Sequence, residues 1–241
     1  MGLEQRWLNT DFSLKYVHRD GHDKIVKANR RVLAQDPLDG YESLYTQYTN
    51  EGSSKSDNVS LTVTPLEPIR FLNSYTSLQL VLDWSHSEDA YGTYESSISL
   101  EELNDSDVIY DGKRVNFTEL PPNDYNRPWT VRLSTITEIP EWNLTVSNFF
   151  RLRGAYEQLI DTGRTEEVDG ESLDVYDTAQ VDGAPTWDLR VKWEIPTAKD
   201  QALFVAVDVT NVTDEVNEIV SSGSSAKTTY EIGRQYWLEV G

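Results

Sequence analysis

Apolar and polar residues alternate along much of this chain with a period of two, which predicts β-strands. The most regular run, residues 187–195, places five apolar side chains on one face and four charged ones on the other. Similar runs lie at 12–17, 59–64, 77–85, 129–134, 142–147, 203–209 and 236–240. The pattern predicts about nine strands and no amphipathic helix.

The predicted strands are joined by connections of two kinds. Short links at 137–141 and 196–200 alternate with long acidic ones at 86–124, 154–184 and 213–229. This asymmetry is typical of a β-barrel with tight turns on one rim and long loops on the other.

Clusters of Gly, Asn, Asp and Ser predict further turns at 19–21 and 50–54. Residues 3–16 are interpreted as one strand, and a Ser/Gly-rich loop is predicted at 221–225.

No apolar run approaches the roughly 18 residues of a membrane-spanning helix, which excludes a helical membrane protein. A transmembrane β-barrel is compatible with the pattern, because its strands need apolar residues only at alternate positions. Tryptophans lie at or near the predicted strand ends, where such barrels carry aromatic girdles: Trp84, Trp129, Trp142, Trp187, Trp193 and Trp237. A soluble β-sandwich would give the same alternation, so a lectin-like ligand-binding module remains the alternative.

The chain has 21 basic and 41 acidic residues, a formal net charge of −20. This charge argues against nucleic acid as a partner, because there is no basic surface to neutralise phosphates. Residues 157–182 hold nine carboxylates and one base, Arg164. We interpret them as solubilising loop charge, with divalent-cation binding as the alternative. Cysteine is absent, which excludes disulfides and thiol chemistry.

No catalytic or cofactor motif is found: neither a nucleophile elbow, nor a phosphate-binding loop, nor a dinucleotide fingerprint, nor a zinc-binding His-Glu-x-x-His. His18 and His22 flank Asp20 near Asp23, but a predicted turn removes the helical meaning of this spacing. We therefore predict no metal site, no cofactor and no enzymatic activity. Tyrosines of the long loops would pack these loops or stack on a sugar or an aromatic siderophore.

Three pieces occur in order within the last quarter of the chain. They are PTWDLRVKW at 185–193, VTNVTD at 209–214 and YEIGRQYWL at 230–238. Together they resemble the last three barrel strands of TonB-dependent outer-membrane receptors. The positions that carry the resemblance are Trp187, Asp188, Leu189, Asn211, Asp214, Gly233, Arg234, Tyr236 and Trp237. Weaker similarity at 16–25 and 48–61 resembles a mid-barrel strand with its turn and an Asn-x-Gly hairpin.

The resemblance implies an all-β fold, an antiparallel transmembrane β-barrel meander. Residues 1–241 would be the C-terminal portion of this barrel, which has about 22 strands in the family. The N-terminal plug domain and the final aromatic residue of the family would lie outside the chain, which ends at Gly241. Gly233 is expected to let the backbone pass from loop to strand without a Cβ clash. Asn211 and Asp214 are expected to close the loop entrance with side-chain-to-backbone hydrogen bonds.

The resemblance also implies a function. It places the chain in the outer membrane of a Gram-negative bacterium, in contact with lipid and lipopolysaccharide. The receptor would import a scarce ligand such as a siderophore, cobalamin or an oligosaccharide. Energy would come from the TonB transducer, acting through the missing N-terminal part.

Overall fold

The computed structural model describes residues 1–32, 43–90, 107–117, 120, 127–198, 201–220 and 228–241. These ranges contain sixteen strands and a 3-10 turn at Pro140–Trp142. The strands are β1 (Gly2–Trp7), β2 (Thr10–Val32), β3 (Ser43–Pro65), β4 (Ile69–Phe71), β5 (Ser74–Ala90), β6 (Asp107–Tyr110), β7 (Lys113–Asn116), β8 (Trp129–Ile139), β9 (Leu144–Arg153), β10 (Tyr156–Val168), β11 (Glu171–Val181), β12 (Ala184–Ala198), β13 (Gln201–Thr210), β14 (Glu218–Val220), β15 (Thr228–Tyr230) and β16 (Gln235–Val240). Within the described ranges, no helix is long and apolar enough to cross a membrane.

Nine strands form one antiparallel meander in the order β1-β2-β3-β5-β8-β9-β12-β13-β16, and the short β4 pairs with β5. These nine correspond to the number that the alternation predicts. The connections at one end, the short rim, are 8–9, 66–73, 140–143 and 199–200. The connections at the other end, the long rim, are 33–42, 91–128, 154–183 and 211–234. The predicted alternation of short and long links is therefore confirmed.

One face of the meander is largely apolar, and the polar residues on it include Gln5, Thr135 and Asn148. Leu82 lies between Leu61 and Val131 on the neighbouring strands, and Val207 lies opposite Leu238. No second sheet covers this face in the described part of the chain, and Val207 and Leu238 are 40% and 72% exposed. A soluble β-sandwich would bury such a face, and the described sheets do not form one.

Three strands of the meander have the length of one bilayer crossing. β8, β9 and β13 contain 11, 10 and 10 residues, and a tilted membrane-spanning strand needs about 9–11. Trp84 and Trp129 lie opposite each other towards the long rim, whereas Trp7 and Trp142 lie beside short-rim turns. Exposed aromatic residues thus border the apolar face at both ends, as in an aromatic girdle.

The opposite face of the meander is polar and carries ion pairs. Arg190 donates to Asp208 at 2.7 Å and to Glu239 at 2.6 Å. Lys192 donates to Glu194 at 2.7 Å. These charges alternate along the strands with the apolar residues, so the two faces are separated by the pleat alone.

Gly154 lies directly under the indole of Trp129. A Cβ on Gly154 would stand 2.7 Å from the indole Nε1, and the Gly154 amide donates to the Trp129 carbonyl at 2.9 Å. We expect Gly154→Ala to displace the ring and to lower the free energy of unfolding in detergent by about 1–3 kcal/mol. Gly2→Ala, whose Cβ meets only a carbonyl at 3.8 Å, is the matched control. An equal loss from Gly154→Ala in a Trp129→Leu background would contradict this explanation.

Two predicted turns are wrong. β2 and β3 run through 19–21 and 50–54 without reversing, and Lys24 pairs with Gly52 between two register shifts. Asp23, at φ 54°, lies in this irregularity. Gly, Asn and Asp allow a β-bulge as readily as a turn, so the sequence could not distinguish them. The Asn-x-Gly hairpin within 48–61 is therefore absent.

The predicted single strand at 3–16 is a hairpin instead. β1 and β2 reverse at Leu8 and Asn9, whose φ angles are 46° and 57°. Positive φ at both central residues defines a type I′ turn, which matches the twist of a two-residue hairpin. The apolar Leu8 conceals this turn in the sequence.

All three long acidic connections contain strands that the alternation does not predict, and in the last of them β14 pairs with β15. β10 and β11 form a hairpin in the connection after β9, and β6–β7 joins β11 in parallel. This four-stranded loop sheet, β10-β11-β6-β7, buries a small cluster of Ile109, Leu173 and Val175. Its carboxylates hide the apolar pattern in the sequence. The predicted Ser/Gly loop at 221–225 lies outside the described residues.

Candidate functional site at the long rim

The three sequence pieces near the C-terminus come together at the long rim. The Val212 amide donates to the carbonyl of Trp187 at 2.7 Å, and the Asn211 amide donates to the carboxylate of Asp188 at 2.9 Å. Leu189 lies one position further along β12, opposite Val209. The end of β13 is thereby fastened to the neighbouring strand.

Asn211 and Asp214 shape the start of the last long connection. The Asn211 side chain accepts from the Glu215 amide and donates to the Glu215 carbonyl, both at 2.9 Å. The Asp214 carboxylate accepts from the Arg234 amide at 3.1 Å and from its guanidinium at 3.2 Å. Residues 214 and 234 close the two ends of this connection, as side-chain-to-backbone bonding at loop entrances requires.

The remaining motif residues have separate roles. Tyr236 lies on the apolar face opposite Val209, whereas Trp237 lies on the polar face opposite Asp208. The steric role expected for Gly233 is wrong: a Cβ there would meet only Asp214 Oδ1 at 3.6 Å, an ordinary contact.

Asn211 holds a left-handed backbone conformation, with φ 50°. We expect Asn211→Ala to destabilise the chain by about 2 kcal/mol, because it adds the left-handed penalty to the loss of two hydrogen bonds. Asn211→Gly should cost about half as much, because glycine removes only the hydrogen bonds. Urea unfolding in detergent would measure both. Equal losses for the two variants would contradict the role of the backbone angle.

A second cluster joins three long connections at their roots; we call Arg127, Arg153, Asn217 and Glu231 the loop-root junction. Arg153, the last residue of β9, donates to both Glu231 carboxylate oxygens at 2.5 and 2.6 Å. Asn217, which is buried, donates to Glu231 at 3.3 Å and to the Pro185 carbonyl at 3.1 Å. Its carbonyl in turn accepts from the Glu231 amide at 2.9 Å.

Arg127 adds the connection that follows β5. Its guanidinium donates to the carbonyls of Gly154 and Asp182, both at 2.7 Å. It also stands over the ring of Tyr156, 5.1 Å from the centroid. A single side chain therefore holds both ends of the connection that carries β10 and β11.

The pKa values of two residues in the loop-root junction, Glu231 and Arg127, are lowered. Hydrogen bonds from Arg153 lower the pKa of Glu231, so this carboxylate stays charged. Partial burial lowers the pKa of Arg127, and the nearby charge of Arg153 lowers it further. The sequence pieces include Glu231 but not its partner, because 78 residues separate it from Arg153.

Other groups considered from the sequence contact protein side chains in the described residues. His18 lies 2.8 Å from Asp57, and His22 lies 3.3 Å from Asp20. Within the ranges that the structure covers, no three His, Asp or Glu side chains are grouped to hold a metal ion. In the acidic segment, Glu171 pairs with Arg114 at 2.8 Å.

Loop tyrosines in the described part contact protein groups. The Tyr110 hydroxyl lies 2.8 Å from Thr178 Oγ1, and Tyr176 packs edge-on against Phe117. Tyr91, Tyr94 and Tyr125 lie outside the described residues.

The fold is similar to that of outer-membrane transporters. No family model matches the chain. It is 28% identical over 246 residues to an uncharacterized protein of Escherichia coli K12, YddB, and this alignment covers all of the chain and 30% of that protein. The crystal structure of the E. coli outer membrane transporter YddB superposes with a TM-score of 0.78 at 26% identity, over 99% of this chain and 31% of that one.

Two more distant structures share the fold. One is the pyoverdine outer membrane receptor FpvA of Pseudomonas aeruginosa bound to pyoverdine, with a TM-score of 0.54 and 13% identity over 98% of this chain and 28% of the receptor. The other is the FrpB iron transporter of Neisseria meningitidis, with a TM-score of 0.52 and 16% identity over 99% of this chain and 30% of the transporter. The chain thus spans about a third of the length of the proteins it matches, and these are transporters and receptors rather than enzymes.

Proposed function

Because the chain matches the C-terminal part of TonB-dependent outer-membrane receptors, we propose that it forms the C-terminal wall of an active importer. The chain lies in the outer membrane of a Gram-negative bacterium. The imported ligand would be a scarce compound, such as a siderophore, cobalamin or an oligosaccharide. Two of the similar proteins are named as a pyoverdine receptor and an iron transporter. Pyoverdine and iron are therefore the first choices for a ligand screen.

The observation that carries the proposal is the largely apolar face of nine strands, with short turns at one rim and long connections at the other. Such a face has no partner in the described chain and fits the hydrocarbon of a bilayer. The polar face would line the interior of the barrel, and the long rim would meet the ligand outside the cell.

The loop-root junction supports the receptor role. Arg127, Arg153 and Glu231 tie three long connections together just outside the membrane-spanning strands. A ligand-binding surface on these connections would therefore sit on a fixed base, which reduces the ordering cost of binding.

In this proposal, residues 1–241 contribute only the wall. A plug domain elsewhere in the polypeptide would close the lumen, and the TonB transducer would act on that plug. Lipid and lipopolysaccharide would surround the apolar face. No chemistry on the ligand is required of this part.

The proposal is tested by uptake in whole cells. Strains lacking the gene, the transducer gene or both would be supplied with iron-loaded siderophores, cobalamin and maltodextrins, each radiolabelled. We expect the uptake of one compound to fall to background in every deletion strain. A plasmid-borne copy of the gene should restore this uptake only when the transducer is present. Uptake that persists without the transducer would contradict the energy source. A full-length gene that encodes no plug would contradict the importer itself.

A further inference from the structure

Two arginines face each other on the polar face of neighbouring strands. Arg132 on β8 and Arg151 on β9 are directly opposite in the register. Their neighbours Val131 and Leu152 pair on the apolar face, so both guanidinium groups project to the polar side. Like charges directly opposite each other destabilise a sheet, so the pair needs an explanation.

The acidic side chains within the described chain leave some guanidinium donors of this pair without a carboxylate partner. Arg132 contacts Asp83 through one Nη2 atom, while its Nε is buried without a hydrogen-bond partner. Arg151 donates from Nε to the Thr186 hydroxyl at 3.2 Å. By contrast, Arg190 on the same face binds two carboxylates. Asp83 is thus the carboxylate hydrogen-bonded to this pair in the described chain, and Arg151 acts on Glu231 through its charge.

The surroundings add positive charge. Arg153 lies two residues from Arg151, and both arginines act on the single carboxylate of Glu231. The Arg132 side chain is nevertheless 43% exposed in the described chain, which leaves room for an anion beside it. In a chain with a net charge of −20, this is a local surplus of cations on the wall proposed to line the lumen.

We propose that Arg132 and Arg151 together bind one carboxylate group inside the barrel. A guanidinium group offers paired N–H donors that match the two oxygens of a carboxylate. One such anion between the two arginines would neutralise the surplus and remove the repulsion. The carboxylate comes either from a free ligand or from a side chain elsewhere in the same polypeptide. The inference rests on the proposed function, in that the polar face is taken as the lumen wall.

The test uses the full-length polypeptide that contains this sequence, purified in detergent. Phenylglyoxal, which modifies free guanidinium groups, would be reacted with it, and peptide mass spectrometry would give the rate at Arg151. Citrate is the carboxylate probe, with glycerol at the same concentration and NaCl at the same ionic strength as controls. We expect saturating citrate to slow the modification about tenfold, as charge-assisted hydrogen bonds of ordinary strength would. R132Q should reduce the protection to less than about twofold, because one arginine alone holds the anion weakly. R190Q, which removes a paired arginine from the same wall, should leave the protection unchanged.

If a side-chain carboxylate of the same polypeptide occupies the site, the phenylglyoxal reaction gives a different result. Arg151 would then react slowly without citrate, because the site is already filled. In the R151K chain, a water-soluble carbodiimide would couple the new amine to that carboxylate, and mass spectrometry would identify it. A cross-link to any carboxylate other than Asp83, Asp188 and Glu231 supports the proposal with an internal source.

The proposal is overturned if citrate gives no protection beyond the NaCl control and R151K forms no such cross-link. If ligand uptake still depends on the transducer in that case, the proposed importer function is retained and only this carboxylate site is rejected.

Discussion

Leu80→Arg is expected to destabilise the barrel by about 2–4 kcal/mol, the cost of a basic side chain at the bilayer midplane. Leu80 lies near the middle of the membrane-spanning part of β5, opposite Val63 and Leu133 on the apolar face. A guanidinium group there would have lipid on one side and no acid partner on the neighbouring strands. Urea unfolding from lipid vesicles, monitored by tryptophan fluorescence, would measure the loss.

Gln79→Arg is the matched control, because Gln79 precedes Leu80 and faces the polar side opposite Ser134. We expect this change to alter the free energy of unfolding by less than about 0.5 kcal/mol, as most exposed substitutions do. The large difference between adjacent positions follows from the period of two in a strand. Equal losses at positions 79 and 80 would contradict the assignment of the two faces.

Arg153→Ala is expected to cost about 3 kcal/mol, because it leaves the Glu231 carboxylate partly buried without its counter-ion. The side chains of Arg153 and Glu231 are only 16% and 23% exposed. The loss should concentrate at the long rim, as faster hydrogen exchange at 211–220 and 231–234. Arg114→Ala, which breaks a more exposed pair with Asp107 and Glu171, should destabilise the chain much less, because solvent screens that pair. Unchanged exchange at 211–220 in Arg153→Ala would contradict the role of the junction.

The same ion pair predicts a pH dependence. Arg153 lowers the pKa of Glu231 below its ordinary value of about 4.5. The pair therefore contributes fully above pH 4.5, and its contribution is lost as pH falls through the lower pKa of the folded state. In the native chain, the hydrogen-exchange protection of 211–220, corrected for the intrinsic exchange rate, should fall as the pH is lowered below 5. In the Glu231→Gln variant this loss of protection at low pH should be absent. A loss of the same size in that variant would assign the titration to another group.

The sequence predicts the sheet well because its two faces differ in every strand. Residues 187–195 alternate so regularly that β12 follows directly from the pattern, and β13 and β16 follow from the motifs. The turn at Leu8 and Asn9 was missed because an apolar residue occupies it. The bulge around Lys24 and Gly52 was mistaken for two turns, because both structures favour the same small residues.

The long rim was less predictable for physical reasons. β10 and β11 are rich in carboxylates, so their strand pattern is hidden. The Arg153–Glu231 pair joins residues far apart in sequence, and neither residue stands out by type. Asn211 and Asp214, in contrast, belong to a short local motif, and their hydrogen bonds lie within a few residues of the positions that the motif indicates.

The measurement that tests the central claim most directly is the quenching of tryptophan fluorescence by lipids brominated along the acyl chains. The apolar face carries Trp193, which is 49% exposed, and the polar face carries Trp237, which is 62% exposed. In vesicles of brominated lipid, Trp193→Phe should remove a lipid-quenched component, and Trp237→Phe should remove one quenched by aqueous acrylamide. If acrylamide but not brominated lipid quenched Trp193, the apolar face would not meet the bilayer, and the account of this chain as the wall of an outer-membrane importer would be wrong.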